Sequence, residues 1–204
     1  MSKPAEEGKI WEWRAFGRIS DELAAKVRAY PIRFSEVQGD DIYLISPLND
    51  QNVKLRQSSG ACVLKLKLLC DDRERPFELY REAAELTYPF PVELSSLQAT
   101  ADLLEVTLPE NSKRLDKLTV SQFIGLLGES DPAVVETTTS KKRSQYQFDR
   151  GWLELAEIRF AKIETQSISI HSRELQVVKD MVSALEPYEN LEAMNYIEAC
   201  RRWS

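Results

Sequence analysis

The sequence predicts an α+β protein in which an antiparallel β sheet is covered by helices, and three observations carry that reading. Cationic and apolar residues alternate in two runs, Asn52 to Arg56 and Val63 to Leu69. With a side-chain period of two, Lys54 and Arg56 point one way and Val53 and Leu55 the other, and Lys65 and Lys67 separate likewise from Leu64, Leu66 and Leu68. The two runs are joined by Ser58-Ser59-Gly60, short enough for an antiparallel hairpin that brings four cations onto one sheet face. Strand-like segments of this kind are interspersed with helical spacings, of which Leu175, Val178, Met181, Val182 and Leu185 form the clearest apolar stripe.

The first strand is expected over Lys9 to Phe16, with Ile10, Glu12 and Arg14 on one parity and Trp11, Trp13 and Ala15 on a packing face. Ser20-Asp21-Glu22 starts a helix carrying Leu23, Ala24, Val27 and Tyr30, and Pro31 closes it. A strand over Asp41 to Ser46 turns at Pro47, Asn49 and Asp50 into the first cationic run. Phe77 to Leu86 fits a helix, Tyr88-Pro89-Phe90-Pro91 interrupts it, and Ala101 to Leu108 fits a strand or a short helix. Thr119 caps a helix over Val120 to Leu127, with Gln122 at the capping-box position and Gly128 as terminator.

A second strand-rich block follows. Val134 to Thr139 leads through Lys141, Lys142 and Arg143 into Tyr146 to Phe148, and Asp149-Arg150-Gly151 makes a turn. Trp152 to Phe160 and Gln166 to His171 form two further strands. Ser172 caps a helix over Arg173 to Leu185, Glu186-Pro187 ends it, and Leu191 to Trp203 forms a final helix. No low-complexity linker divides these blocks, so residues 1–204 are expected to form one domain of two related halves, although no exact repeat is present.

At 204 residues and 43% hydrophobic composition the chain can bury a real core. A net charge of −6 argues against general nucleic-acid binding but permits a local basic groove. Cys62, Cys70 and Cys200 have no metal-finger spacing, and their odd number points to reduced thiols in the cytoplasm. No apolar run approaches a membrane span, and the opening MSKPAEEGK lacks the apolar centre of a secretory signal. On periodicity alone the cationic parity faces either open water, as in a protein-interaction module, or the polar lumen of a closed barrel.

The order of these segments resembles the CYTH, or triphosphate tunnel metalloenzyme, superfamily. The likeness runs over about residues 9–200 and is carried by a first strand with Glu and a cation, then NVKLR, LKLKLL, KKRSQY, WLELAEI and SISIHSRE. It implies a closed or nearly closed antiparallel barrel, a tunnel with covering helices, that binds a triphosphate-containing small molecule or polyphosphate. Lys54, Arg56, Lys65, Lys67 and Arg143 become the phosphate-binding residues, with Arg56 and Lys67 foremost. Where the family opens with E-x-E-x-K, this chain has Ile10, Glu12 and Arg14, so Glu12 and Arg14 stand at the catalytic positions with one acid missing.

Divalent Mg or Mn would be held by Glu12 and Glu157, the latter preferred over Glu154 because it lies nearer the family-like LAEI. The two differ in parity, so a regular strand turns only one of them inward. Ser169 and His171 occupy late-strand positions where the family carries glutamates. No organic cofactor is implied. The implied reaction is metal-dependent phosphoanhydride hydrolysis, and noncatalytic nucleotide or polyphosphate binding is its alternative. Of the Lys141-Lys142-Arg143 run only Arg143 is expected inside, the rest forming a solvated edge, and Trp11, Trp13 and Trp152 are expected to pack under helices.

Overall fold

A computed structural model describes residues 8–58, 60–130 and 134–204. Ser59 of the predicted hairpin turn and the first seven residues of the opening segment lie outside the described residues. In chain order the elements are β1 (Lys9–Gly17), α1 (Asp21–Arg28), β2 (Ile32–Ile45), β3 (Asn52–Ser58), β4 (Ala61–Glu74), β5 (Phe77–Arg81), β6 (Thr87–Pro89) and β7 (Val92–Glu93). They continue with α2 (Leu94–Leu104), β8 (Lys117–Leu118), α3 (Val120–Gly128), β9 (Val135–Phe148), β10 (Gly151–Arg159), β11 (Glu164–Ser172), α4 (Leu175–Leu185), β12 (Leu191–Ala193) and α5 (Tyr196–Trp203).

Eight strands pair antiparallel in the ring β1, β11, β10, β9, β2, β3, β4, β5 and back to β1. The sheet is therefore a closed barrel, and the open, water-washed sheet does not form. Closure removes both sheet edges and gives each strand an inner and an outer parity. Lys54 sits opposite Lys65 in the β3–β4 register, so the cations of the two opening runs share one face.

The outer parity is apolar and the helices cover it. Trp13, Leu153, Ile168 and Ile170 pack under Leu23 and Val27 of α1 and Val177, Val178 and Leu185 of α4. On the other flank Val53, Leu55, Leu64 and Leu66 pack under Leu97, Ala101 and Leu104 of α2 and Phe123, Leu126 and Leu127 of α3. A third cluster forms on the inner parity, where Phe16, Tyr43, Ala156 and Ile158 meet Tyr196, Ile197, Ala199 and Cys200 of α5.

Several local expectations are corrected. Phe77 to Leu86 is not helical: β5 alternates buried Glu78 and Tyr80 with partly exposed neighbours, and only Ala84–Leu86 forms a helical turn. Ala101 to Leu104 belongs to the end of α2, which stops at Glu105 in the left-handed region (φ 57°). Asp41 to Ser46 is only the end of a 14-residue strand whose pairing with β9 carries two register shifts. Ser172 closes β11, where its hydroxyl donates to the Arg150 carbonyl at 2.7 Å and accepts from the Glu174 N–H at 3.2 Å, so α4 begins at Leu175. Leu191 to Trp203 divides into β12 and α5 because Asn195 and Glu198 form a reciprocal capping box between them.

Candidate polyanion site

The inner parity lines a cavity of about 350 Å³. β1 contributes Glu12 and Arg14, β3 Lys54 and Arg56, β4 Lys65 and Lys67, β9 Lys141, Arg143 and Gln145, β10 Trp152 and Glu154, and β11 His171. Fully buried Asp41 of β2 lies behind the cations, and Glu82 stands at the rim. Among the described residues seven cations (Arg14, Lys54, Arg56, Lys65, Lys67, Lys141, Arg143) thus face four carboxylates (Glu12, Asp41, Glu82, Glu154), an excess of three positive charges. With −6 for the whole chain and +3 here, −9 is left for the remainder.

Each carboxylate is already committed to cations. Arg56 meets Asp41 with a fork, Nε to Oδ1 at 2.9 Å and Nη2 to Oδ2 at 3.1 Å, while Lys141 Nζ lies 2.8 Å and Lys54 Nζ 3.6 Å from the same group. Burial alone would raise the Asp41 pKa, but Lys54, Lys141 and Arg56 hold it far below the usual carboxylate range. Glu12 accepts from Arg14 Nε at 2.8 Å and from Lys67 Nζ, and these cations outweigh its burial and keep it ionised. Glu154 accepts from Arg143 Nη1 at 3.1 Å and Gln145 Nε2 at 2.9 Å. Against its burial, Arg14 and Arg143 hold its pKa down to about 2.

The cations are less well matched. Lys65 makes no ion pair among the described residues, and burial, with Arg56 nearby, lowers its pKa. Burial also lowers the pKa of Lys54 and Lys141, and by formal charge the cavity holds three more cations than its own acids neutralise. An anion entering it would relieve this imbalance.

The predicted phosphate-binding set, Lys54, Arg56, Lys65, Lys67 and Arg143, is brought together on the inner face, as are Glu12, Arg14, Ser169 and His171. Glu157 is not: it is exposed on the outside, and Glu154 faces the lumen instead. The β10–β11 register pairs Glu154 with Ser169, which is fully buried on the inner parity, so Glu154 faces inward beside it. Lys141 was also missed. It lies two residues from Arg143 on the same strand, and that parity places both inside although three consecutive cations resemble a solvated edge. Trp152 faces the lumen rather than a helix, stacked on His171 with ring centroids 4.7 Å apart.

Magnesium needs several oxygen ligands with charge to spare, whereas Glu12 and Glu154 each sit between cations. Their neighbour His171 shares a 2.8 Å hydrogen bond with Ser169. Among the described residues no three His, Cys, Asp or Glu side chains gather in a metal-ligating group.

His171 has a measurable consequence for stability. Burial pushes its pKa down to about 4, against the pull of Glu12 at 3.6 Å, whereas in the unfolded chain it titrates near 6.5. Between these values the unfolded chain binds more protons, so stability present above pH 6.5 is lost as the pH falls toward 4. Glu82 and Glu154, both held at about 2, add a second loss that begins only below their ordinary 4.5. Thermal melts are expected to show decline from pH 6.5 downward, and His171→Gln is expected to flatten the segment between 6.5 and 4 while leaving the more acidic loss in place.

No protein-family model and no curated protein matches this chain. Solved structures do. The PH1819 protein of Pyrococcus horikoshii aligns with a TM-score of 0.51 at 16% identity, over 94% of this chain and 98% of that one. The Hippeastrum protein HpAC1, described by a dominant triphosphatase activity, aligns with a TM-score of 0.51 at 13% identity, over 95% of each chain. An adenylate cyclase candidate of Bacillus halodurans aligns with a TM-score of 0.50 at 12% identity, over 94% of this chain and 98% of that one. The chain shares the overall fold of these proteins, a closed antiparallel barrel covered by helices. At these identities the likeness concerns the barrel and leaves the chemistry of each lumen to its own residues. Among the described residues no helix is long and apolar enough to cross a membrane.

Proposed function

We propose that this chain binds a triphosphate-containing small molecule or short polyphosphate inside the barrel. The observation that carries the reading is the excess of three positive charges in a 350 Å³ lumen, within a chain of net charge −6. Guanidinium and ammonium groups arrayed on four strands supply charge-assisted hydrogen bonds along a phosphate chain. Phosphoanhydride hydrolysis with Mg or Mn would need inward acids free to ligate, and Glu12 and Glu154 are engaged by Arg14, Lys67 and Arg143. Binding without turnover is therefore the favoured activity, and the cytoplasm, where three unpaired cysteines stay reduced, is its expected setting.

Calorimetric titration with inorganic triphosphate tests this. One saturable site is expected in EDTA, weakening as salt is added, with no phosphate released from inorganic triphosphate, ATP or thiamine triphosphate when Mg or Mn is supplied. Absence of saturable binding would overturn the proposal, and metal-dependent phosphate release would restore the hydrolase reading.

A further inference from the structure

Of the four lumen carboxylates, Glu82 differs from the rest. The side chains of Glu12, Asp41 and Glu154 are 9%, 0% and 6% exposed, whereas that of Glu82 is 57% exposed. The buried three are locked among the cations of the wall, because turning one aside would leave its partners uncompensated away from water. Glu82 has solvent beside it and can leave its partner at little cost.

That partner is Lys67, whose ammonium meets the Glu12 carboxylate, the Tyr80 ring with its centre 4.2 Å away, and Glu82 Oε1 at 3.0 Å. Glu12 and Tyr80 are buried and fixed, so Glu82 is the exchangeable contact. Adjacent Arg81 is taken up by Glu85 at 2.9 Å. The Glu82 charge also favours the protonated forms of Lys54 and Lys65, so it bears on the cations of both β3 and β4. Its backbone is anchored, the N–H donating to the Gly8 carbonyl at 3.0 Å, and only the side chain has to move.

Building on the polyanion reading, we infer that Glu82 is an autoinhibitory anion: it occupies Lys67 in the empty protein, and a phosphate group binds there by displacing it. With Glu82 turned outward, the excess of three positive charges becomes four for the arriving ligand. The contact also sets a threshold for entry. A free carboxylate or chloride ion offers Lys67 nothing that a tethered carboxylate, held at high local concentration, does not already supply. A phosphate chain engages Lys54, Arg56 and Lys65 in the same event, and those added contacts carry the exchange at Lys67.

The test titrates inorganic triphosphate in EDTA into the parent protein, Glu82→Gln and Glu82→Asp. Both substitutions fall on an exposed side chain, so neither removes a buried group. Glu82→Gln keeps the shape and removes the charge, and it should bind triphosphate about fivefold more tightly, the scale of one exposed ion pair no longer to be broken. Glu82→Asp keeps the charge but draws it back from Lys67, and it should gain about twofold. Weaker binding by Glu82→Gln would mean that the carboxylate positions Lys67 for the ligand, and the inference would fall. It would also fall if Glu82→Asp matched the parent while Glu82→Gln gained, because charge alone and not the contact would then be responsible. Equal binding by all three proteins would overturn the autoinhibitory contact and leave the polyanion reading intact, whereas no binding by any of them would overturn both.

Discussion

Replacing Asp41 by asparagine is expected to destabilise the protein and at the same time strengthen its hold on triphosphate. The Asp41 carboxylate is fully buried and is the shared counter-ion of Arg56, Lys141 and Lys54. Removing one member of a buried charge cluster leaves the others uncompensated, at a cost of about 3–5 kcal/mol. Urea unfolding should register that loss. The lumen excess then rises from three to four, and an anion can occupy the vacated role, so triphosphate affinity should rise by about tenfold. A variant as stable as the parent, or one that folds but binds triphosphate more weakly, would show that Asp41 is not the balancing charge of the cavity.

The second large effect is expected on binding, with a loss of stability beside it because Arg56 is the forked partner of buried Asp41. Arg56→Ala combined with Lys65→Ala lowers the lumen excess from three to one, and neither residue contributes to the apolar clusters. Each charge-assisted hydrogen bond lost is worth roughly 1.5–3 kcal/mol, so the pair should weaken triphosphate binding by about a hundredfold or more. Lys142 supplies the control. It belongs to the same cationic run as Lys141 and Arg143, yet its side chain is 48% exposed and pairs with Glu36 on the outer surface at 3.1 Å. Lys142→Ala should leave affinity unchanged in the same titration, and comparable losses from both variants would sink the distinction between inner and outer cations.

That distinction also shows where sequence reasoning reached and where it stopped. Alternation is a local property, so the shared face of Lys54, Arg56, Lys65 and Lys67 was visible in two short runs. Closure depends on β1 pairing β11 across 149 to 161 residues, from Gly17 with Gln166 to Trp11 with Ser172, and only the order of segments hinted at it. Lys141 and Glu154 were within reach of parity, but a charge run and a short likeness around Glu157 pulled against it. Asp41 offered no comparable signal, because its importance comes from three cations supplied by β3 and β9. The seat of α5 was hidden for a related reason: its apolar face resembles that of any covering helix, and only the tertiary arrangement places it on inward residues.

The separation of charge between the lumen and the rest of the chain bears on how fast a ligand arrives as well as how firmly it stays. A polyanion approaching from a distance meets the field of a molecule carrying −6, and it feels the positive interior only once it reaches the mouth. Salt screens the long-range repulsion first, because its reach exceeds that of the contacts inside the barrel. Moderate ionic strength should therefore hasten capture even as it loosens the final complex, and the outer acidity should turn away nucleic acids that the interior cations alone would attract.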